Sequence, residues 1–137
     1  MSAKESGQDT DRRQRTAERA VDALWRGDEA SQRFGMRIES CGPGRATVTM
    51  PVRPDMVNGH KICHGGLVFT LADSAFAFAC NSYGDNTVAA GAAIEFLSPS
   101  RAGRAGIYEI EVTNQRGAIV ALFRGRSHQI AGRLIDD

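Results

Sequence analysis

The residues best suited to chemistry lie in one apolar stretch, HGGLVFTLADSAFAFACNSYG, which runs from His64 to Gly84. Apolar residues recur there at helical spacing on almost every face, which predicts a helix buried on almost every side. Asp73 is the one carboxylate in this stretch, and a buried carboxylate costs free energy unless it is paired, hydrated or used. Asp73 is therefore either a general base or nucleophile acting on a carbonyl group, or a structural acid that accepts hydrogen bonds in the core.

The two glycines at the start of the predicted helix offer a second kind of chemistry. Gly65 and Gly66 lie in the first turn, where backbone N–H groups have no partner within the helix and the helix dipole favours negative charge. Such N–H groups can form an oxyanion hole that stabilises charge developing on a carbonyl oxygen. The alternative is that the glycines only allow a tight entry from loop to helix.

Gly65 and Asp73 lie too far apart to act on one carbonyl within a single chain. Their separation along a helix is about 12 Å at 1.5 Å per residue, whereas reacting groups must approach to about 3.5 Å. If both act, the site combines Gly65 of one subunit with Asp73 of another, which two antiparallel helices about a two-fold axis would allow. The geometry therefore predicts a homodimer with shared active sites.

The remaining sequence predicts an α+β architecture, an antiparallel sheet wrapped around this long central helix. An amphipathic helix is predicted from Asp11 to Trp25, ended by Gly27, after a disordered segment over residues 1–10. Residues 11–137 are predicted to form a single domain. Alternating patterns and turn signals predict strands over Phe34–Cys41, Arg45–Val52, Thr87–Leu97, Ile107–Thr113 and Ala118–Ile130, the first two forming a hairpin.

Composition narrows the possible partners and compartments. A net charge of +1 over 137 residues gives no reason to expect nucleic acid, and no apolar run is long enough and free of charge to span a membrane. Three cysteines without a C-x-x-C pair and a polar N-terminus favour a cytoplasmic protein with reduced thiols. His60, Cys63 and His64 lie in a loop where no periodicity gives them a shared face, so no metal site is predicted.

The segment NGHKICHGGLVFTLADSAFAFACNS resembles the hotdog-fold acyl-CoA thioesterases, and so do TVTMPV, IEFLSP, YEIEVTNQ and VALFRGRSHQI. This resemblance, which begins near Phe34, implies a homodimer commonly paired into a homotetramer. It also implies hydrolysis of acyl-CoA thioesters without metal or cofactor. The nearest branch of the family hydrolyses phenylacetyl-CoA or ring-hydroxylated phenylacetyl-CoA in phenylacetate degradation. The alternatives are a non-catalytic acyl-CoA-binding hotdog protein, a thioesterase for another aryl or medium-chain acyl-CoA, and a hotdog dehydratase or hydratase.

The resemblance also implies a role for each matching residue. Asp73 would be the general base or nucleophile, and the Gly65 N–H would polarise the thioester carbonyl. Asn58 would orient water or the carboxylate, and His64 would hold the loop geometry. By their charge, rather than through the resemblance, Lys61, Arg124 and Arg126 are candidate contacts for the phosphates of CoA, and Gly66 is a further candidate contact.

Two departures from the family pattern bear on these expectations. The segment Ala89–Ala92 has no hydroxyl that could position a water molecule, so Asn58 must suffice. After IEFLSPSRAG only Arg104–Gly106 precede the segment matching IYEIEVTNQ, so about one strand and its turn, roughly 15 residues, are missing from the pattern. Because loss of an internal strand would break the sheet and expose two edges, we infer that these residues are omitted from the printed sequence rather than from the molecule. A gap in the chain between Gly103 and Arg104 would support the omission, and a continuous peptide bond would refute it.

Overall fold

A computed structural model describes the backbone of residues 3–96, 103–108, 111–114, 119–133 and 135, with side chains at 7–96, 123 and 135. In chain order its elements are α1 (Ala3–Gly27), α2 (Glu29–Arg33), β1 (Arg37–Gly42), β2 (Arg45–Val52), a 3-10 turn (Pro54–Met56), α3 (Gly65–Asn81), β3 (Asp85–Phe96), β4 (Gly103–Tyr108), β5 (Glu111–Asn114) and β6 (Ile119–Arg133).

The strands of the described residues form one antiparallel sheet in the order β1-β2-β4-β5-β6-β3. Strand β2 lies in its interior, with Val48 opposite Ile38 of β1 and Ile107 of β4. At the other end, β3 pairs with β6 along most of its length, and Ile94 stands opposite Phe123. Strand β3 is therefore an edge strand, with one side unpaired in the described sheet.

Helix α3 packs against the sheet, and its sequence explains why. Its apolar face is wide because β2, β3 and β6 all pack against it. Leu71, Ala75 and Phe78 are buried with Val48 and Met50 of β2 in one core cluster. Its half-buried aromatic rings meet the buried ring of β6, with centroid distances of 5.3 Å for Phe69–Phe123 and 5.8 Å for Phe76–Phe123. The predicted α+β arrangement, an antiparallel sheet around one long helix, is confirmed.

Helix α1 covers one end of this core and begins earlier than predicted. Trp25 near its C-terminus meets Phe78 of α3 edge to face at 6.1 Å, and the helix ends at Gly27 as predicted. The prediction of disorder over residues 1–10 was wrong for residues 3–10, which are helical. Asp9 forms ion pairs with Arg12 and Arg13 one turn later, so the polar composition belongs to a solvated helix surface. Residues 1–2 lie outside the described residues.

A short helix changes the start of the first strand. The Asp28 side chain accepts a hydrogen bond from the Ser31 N–H at 3.0 Å and caps α2, a helix that the sequence did not predict. Phe34, predicted as the first residue of a strand, instead caps the end of α2. Strand β1 therefore begins only at Arg37. A helix of five residues has too few turns to show a periodic signal.

The segment after residue 102 also differs from prediction. The predicted single strand Ile107–Thr113 is two strands, β4 and β5, which pair with Ile107 opposite Val112. Gly103 and Arg104 are consecutive residues of β4, opposite Val52 and Pro51 of β2. The sheet is therefore continuous at this point, with β4 between β2 and β5, and it has no gap between Gly103 and Arg104 that would support omitted residues. Alternation of apolar residues is the same in one strand and in a short hairpin, so it does not distinguish them.

No helix in the described part of the chain is both long and apolar enough to cross a membrane.

Candidate active site

The start of α3 leaves one backbone donor available. His64 is the N-cap, and its Nδ1 accepts a hydrogen bond from the Gly66 N–H at 3.0 Å. The His64 carbonyl accepts from the N–H groups of Leu67 and Val68 at 2.9 and 3.3 Å. Of the four N–H groups that begin the helix, only that of Gly65 has no acceptor among the described residues. The dipole of α3 adds to the attraction of this N–H for a developing negative charge.

The loop before α3 is held by Asn58. Its Oδ1 accepts hydrogen bonds from the N–H groups of His60 at 2.9 Å and Ile62 at 3.4 Å. Its backbone carbonyl accepts from the Lys61 N–H at 2.8 Å. The side-chain oxygen of Asn58 is thus used within the loop, and its Nδ2 has no acceptor in the described part of the chain. Of the two side-chain groups, the Nδ2 donor is the one left to orient water or a substrate oxygen.

The predicted CoA-binding cations lie in different parts of the structure. Lys61 is exposed on the loop that leads into α3, with a φ of +57°, a left-handed conformation that is uncommon outside glycine. Arg124 and Arg126 lie in β6 opposite Ala93 and Gly91 of β3. The side chains of these two arginines lie outside the described residues, so their role stays a prediction.

Asp73 lies on a half-exposed face of α3 and has no hydrogen-bond partner among the described residues. This face also carries the small residues Gly66, Thr70, Ala77 and Cys80, spaced three and four positions apart. Burial raises the pKa of Asp73 above the ordinary value for aspartate. Burial is also the main cause that raises the pKa of Cys80, and the charge of Asp73 adds to it. Within the described residues, nothing supports the alternative of an acid held by hydrogen bonds in the core.

The structure brings His64, Gly65, Gly66 and the Asn58 loop together at the start of α3, and it places Asp73 eight residues further along the same helix. Their separation of about 12 Å along the axis follows from helix geometry. A single chain therefore carries two half-sites, a hydrogen-bond donor at the helix start and a carboxylate near its middle.

Phe96 is a neighbour of this site that the sequence reasoning did not find. The ring of Phe96, at the end of β3, lies against Gly65, since a Cβ placed on Gly65 would stand 3.0 Å from the ring Cζ. A strand pattern assigns Phe96 only to a face of the sheet, and nothing in the spacing of the two residues indicates contact. Residues 89–92, whose side chains carry no hydroxyl group, lie in β3.

No group of three or more His, Cys, Asp or Glu side chains in the described ranges could hold a metal ion. Cys63 is buried beside His64, and its Sγ donates to the His64 carbonyl at 3.7 Å. Burial raises the pKa of the Cys63 thiol, which disfavours a thiolate.

Comparisons with known proteins support the fold described above. A profile of the thioesterase superfamily matches residues 60–122, from the loop before α3 into β6. The chain belongs to the thioesterase superfamily, and its predicted hotdog fold is confirmed.

The relatives define the branch of the family. The chain is 44% identical over 126 residues to the acyl-coenzyme A thioesterase PaaI of Escherichia coli, covering 82% of this chain and 90% of that protein. The structure of E. coli PaaI, from the phenylacetic acid degradation operon, aligns with a TM-score of 0.83 and 42% identity over 88% of this chain and 97% of that one. A mutant of the phenylacetic acid degradation protein PaaI from Thermus thermophilus aligns with a TM-score of 0.67 and 32% identity over 73% and 97% of the two chains.

The alignment with E. coli PaaI also contains a gap in this chain. Its 126 aligned positions exceed the 82% of this 137-residue chain that they cover. This is in keeping with the predicted loss of a segment relative to the family pattern.

Proposed function

We propose that the protein is an acyl-CoA thioesterase that hydrolyses phenylacetyl-CoA or ring-hydroxylated phenylacetyl-CoA to the free acid and CoA, in phenylacetate degradation. The observation that carries this proposal is the pair of half-sites on α3, an unused Gly65 N–H and a half-buried Asp73, in a member of the thioesterase superfamily. The substrate class is supported by the identity of the chain to a relative named acyl-coenzyme A thioesterase PaaI.

The proposed chemistry needs both half-sites at one thioester. The carbonyl oxygen accepts a hydrogen bond from the Gly65 N–H, which stabilises the negative charge that develops there. As a general base, Asp73 of the other subunit takes a proton from water while the water oxygen attacks the carbonyl carbon. The tetrahedral intermediate then collapses, the carbon–sulfur bond breaks, and the CoA thiolate leaves and takes up a proton.

As a nucleophile, Asp73 would itself attack the carbonyl carbon. Departure of the CoA thiolate would leave a mixed anhydride, and water would hydrolyse it to restore the carboxylate. Neither route requires a metal ion or a cofactor, since CoA is part of the substrate. Hydrolysis in labelled water under single turnover separates them, because only the anhydride route places label in Asp73.

The shared site requires a homodimer, and two surfaces of the chain support one. The unpaired edge strand β3 exposes Val88 and Phe96, whose relative accessibilities are 46% and 55%. Exposed edges and apolar patches favour association with a second chain. The small residues on the Asp73 face of α3 would let a second copy of α3 approach closely. A homodimer with antiparallel α3 helices, paired again into a homotetramer, is the assembly we propose.

The other predicted site residues would orient water, hold the start of α3 or contact CoA. Asn58 would orient the attacking water or the carboxylate through its Nδ2, and His64 holds the Gly66 N–H and thereby the start of α3. Gly66, Lys61, Arg124 and Arg126 are the proposed contacts with CoA, since cations near the mouth of the site would pair with its phosphates.

The proposal also covers the domain and its compartment. Residues 11–137 would form one thioesterase domain, because α1 packs on α3 through Trp25 and Phe78. A cytoplasmic location is supported by three cysteines that form no disulfide, Cys41, Cys63 and Cys80.

The first test is CoA release from phenylacetyl-CoA by the wild type and by Asp73→Ala. Loss of a general base lowers kcat by about 10²–10⁴-fold. The matched control is Asp22→Asn, which removes an exposed carboxylate on α1 and should leave kcat unchanged. Equal rates for the wild type and Asp73→Ala would end the catalytic proposal and favour acyl-CoA binding without turnover.

A second test asks whether two subunits share a site. Gly65→Pro, which removes the N–H and is tolerated at the first position of a helix, and Asp73→Ala are each expected to be inactive alone. A heterodimer of the two, co-expressed with different tags and purified through both, has one site with both changes and one with neither. It should regain about half of the wild-type rate per dimer, because a two-fold dimer has two equivalent sites. A heterodimer as inactive as its parents contradicts the shared site.

A further inference from the structure

The ring of Phe96 lies against the backbone of Gly65, at the start of α3. A Cβ built on Gly65 would stand 3.0, 3.4 and 3.5 Å from Cζ, Cε1 and Cε2 of Phe96, so the end of the ring contacts the glycine backbone. Ile94, two residues earlier and on the same face of β3, packs against the core. Phe96 therefore faces the start of α3, beyond the edge of the packed core.

The ring is nevertheless available to a ligand. Phe96 is 55% exposed in the single chain, and the adjoining residues His64 and Gly66 are exposed as well. A large aromatic side chain half in solvent contributes little to the core of its own chain. Packing within the chain therefore does not explain why Phe96 lies beside the Gly65 N–H.

A carbonyl oxygen held by the Gly65 N–H at about 2.9 Å brings the rest of the acyl group close to this ring. The two groups share one glycine, so the atoms next to the carbonyl carbon would lie in van der Waals reach of Phe96. The ring also excludes water from one side of the Gly65 N–H, and a hydrogen bond is stronger where water is excluded.

We propose that Phe96 is a specificity-determining residue whose ring forms a wall of the acyl pocket beside Gly65 and favours flat aryl acyl groups over flexible chains. This inference rests on the proposed thioesterase function. It also gives Gly65 a second reason to be glycine, since a Cβ there would stand 3.0 Å from the Phe96 ring, which would have to shift by a few tenths of an ångström.

The test compares two substrates whose acyl groups have equal numbers of carbon atoms, phenylacetyl-CoA and octanoyl-CoA. For Phe96→Leu, kcat/KM should fall about two- to tenfold more for phenylacetyl-CoA than for octanoyl-CoA, the range expected for loss of one aromatic contact. Phe96→Tyr, which keeps the ring, should retain the wild-type preference. Tyr83→Leu is the matched control, because Tyr83 is also an exposed aromatic residue but follows the C-terminal end of α3, whereas Phe96 contacts Gly65 at its start.

The outcomes separate this inference from the function on which it rests. A wild type that hydrolyses neither ester overturns both. An active wild type, together with a Phe96→Leu variant that loses activity equally on both esters, overturns only the inference. That equal loss, with a lower dimer fraction in sedimentation, would make Phe96 a contact between subunits.

One replacement variant and one further measurement keep the comparison of the two substrates interpretable. If Phe96→Leu does not fold, Phe96→Met replaces it, since Leu and Met have similar volumes. A double-mutant cycle of Gly65→Ala and Phe96→Leu should be non-additive in kcat/KM for phenylacetyl-CoA, because the two residues are in contact. Additive effects would contradict the contact on which the inference depends.

Discussion

The cap that His64 places on α3 leads to a prediction that separates its structural role from the chemistry. His64→Ala removes the Nδ1 acceptor of the Gly66 N–H, a bond of 3.0 Å at the first turn of the central helix. Loss of an N-cap costs about 0.5–2 kcal/mol of unfolding free energy. Gly66 is exposed, so water can replace the lost acceptor, and we expect the lower part of this range, about 0.5–1 kcal/mol.

Urea unfolding of the wild type, His64→Ala and His64→Asn at one protein concentration measures this cost. Asn is among the best N-cap residues, so His64→Asn should recover most of the lost free energy, and with it most of kcat/KM on phenylacetyl-CoA. Two results would refute the reasoning. One is a His64→Ala protein as stable as the wild type, and the other is a His64→Asn protein no more stable than His64→Ala.

Three other changes have expected outcomes. Because burial raises the pKa of Asp73, its contribution to stability is present at low pH and is lost as pH rises through the folded pKa. Asp73→Asn should therefore unfold at higher urea than the wild type near pH 7, with a gap that closes near pH 3, while the acid limb of wild-type kcat lies above the ordinary aspartate range. Asn81→Ala should cost about 2–3 kcal/mol in urea unfolding, because the buried Asn81 side chain bonds both backbone groups of Thr87 and the Ala77 carbonyl. Lys61→Gly should add about 0.5–1 kcal/mol by relieving a positive φ, whereas Lys61→Ala should not. Both should raise KM for acyl-CoA if the ammonium group contacts CoA, and an unchanged KM in both removes Lys61 from the substrate site.

The parts of the fold with a strong periodic signal could be predicted from the sequence. Strand β2 runs over Arg45–Val52 as predicted, since its buried residues alternate strictly with partly exposed ones. Helix α3 could be predicted because a long apolar run with helical spacing is typical of a buried helix. Asp73 could be singled out for the same reason, since the cost of burying its charge is visible in the residues around it.

Other elements depend on contacts that the sequence does not display. Polar residues 3–10 fit a disordered segment and a solvated helix equally well, and the ion pairs of Asp9 favour the helix. The short helix α2 depends on one capping side chain, that of Asp28, and on a 2.8 Å hydrogen bond between Ser31 and Ser74. The division of the C-terminal segment into β4 and β5 follows from pairing with β2 and β6, which alternation within one strand cannot show.

Gly65 shows most clearly how the candidate site goes beyond its motif. The sequence indicates that its N–H is suited to an oxyanion hole, but any residue except proline would supply that N–H. The structure adds a steric reason for a small residue, because a Cβ here would stand 3.0 Å from the Phe96 ring and the ring would have to shift by a few tenths of an ångström. His64 then accepts the next N–H, so the Gly65 N–H is the donor that α3 leaves for a ligand. The carbonyl half-site therefore depends on three separate segments, the loop that ends at His64, the first turn of α3 and the last residue of β3. A change at Phe96 should alter catalysis although it lies in no recognisable motif.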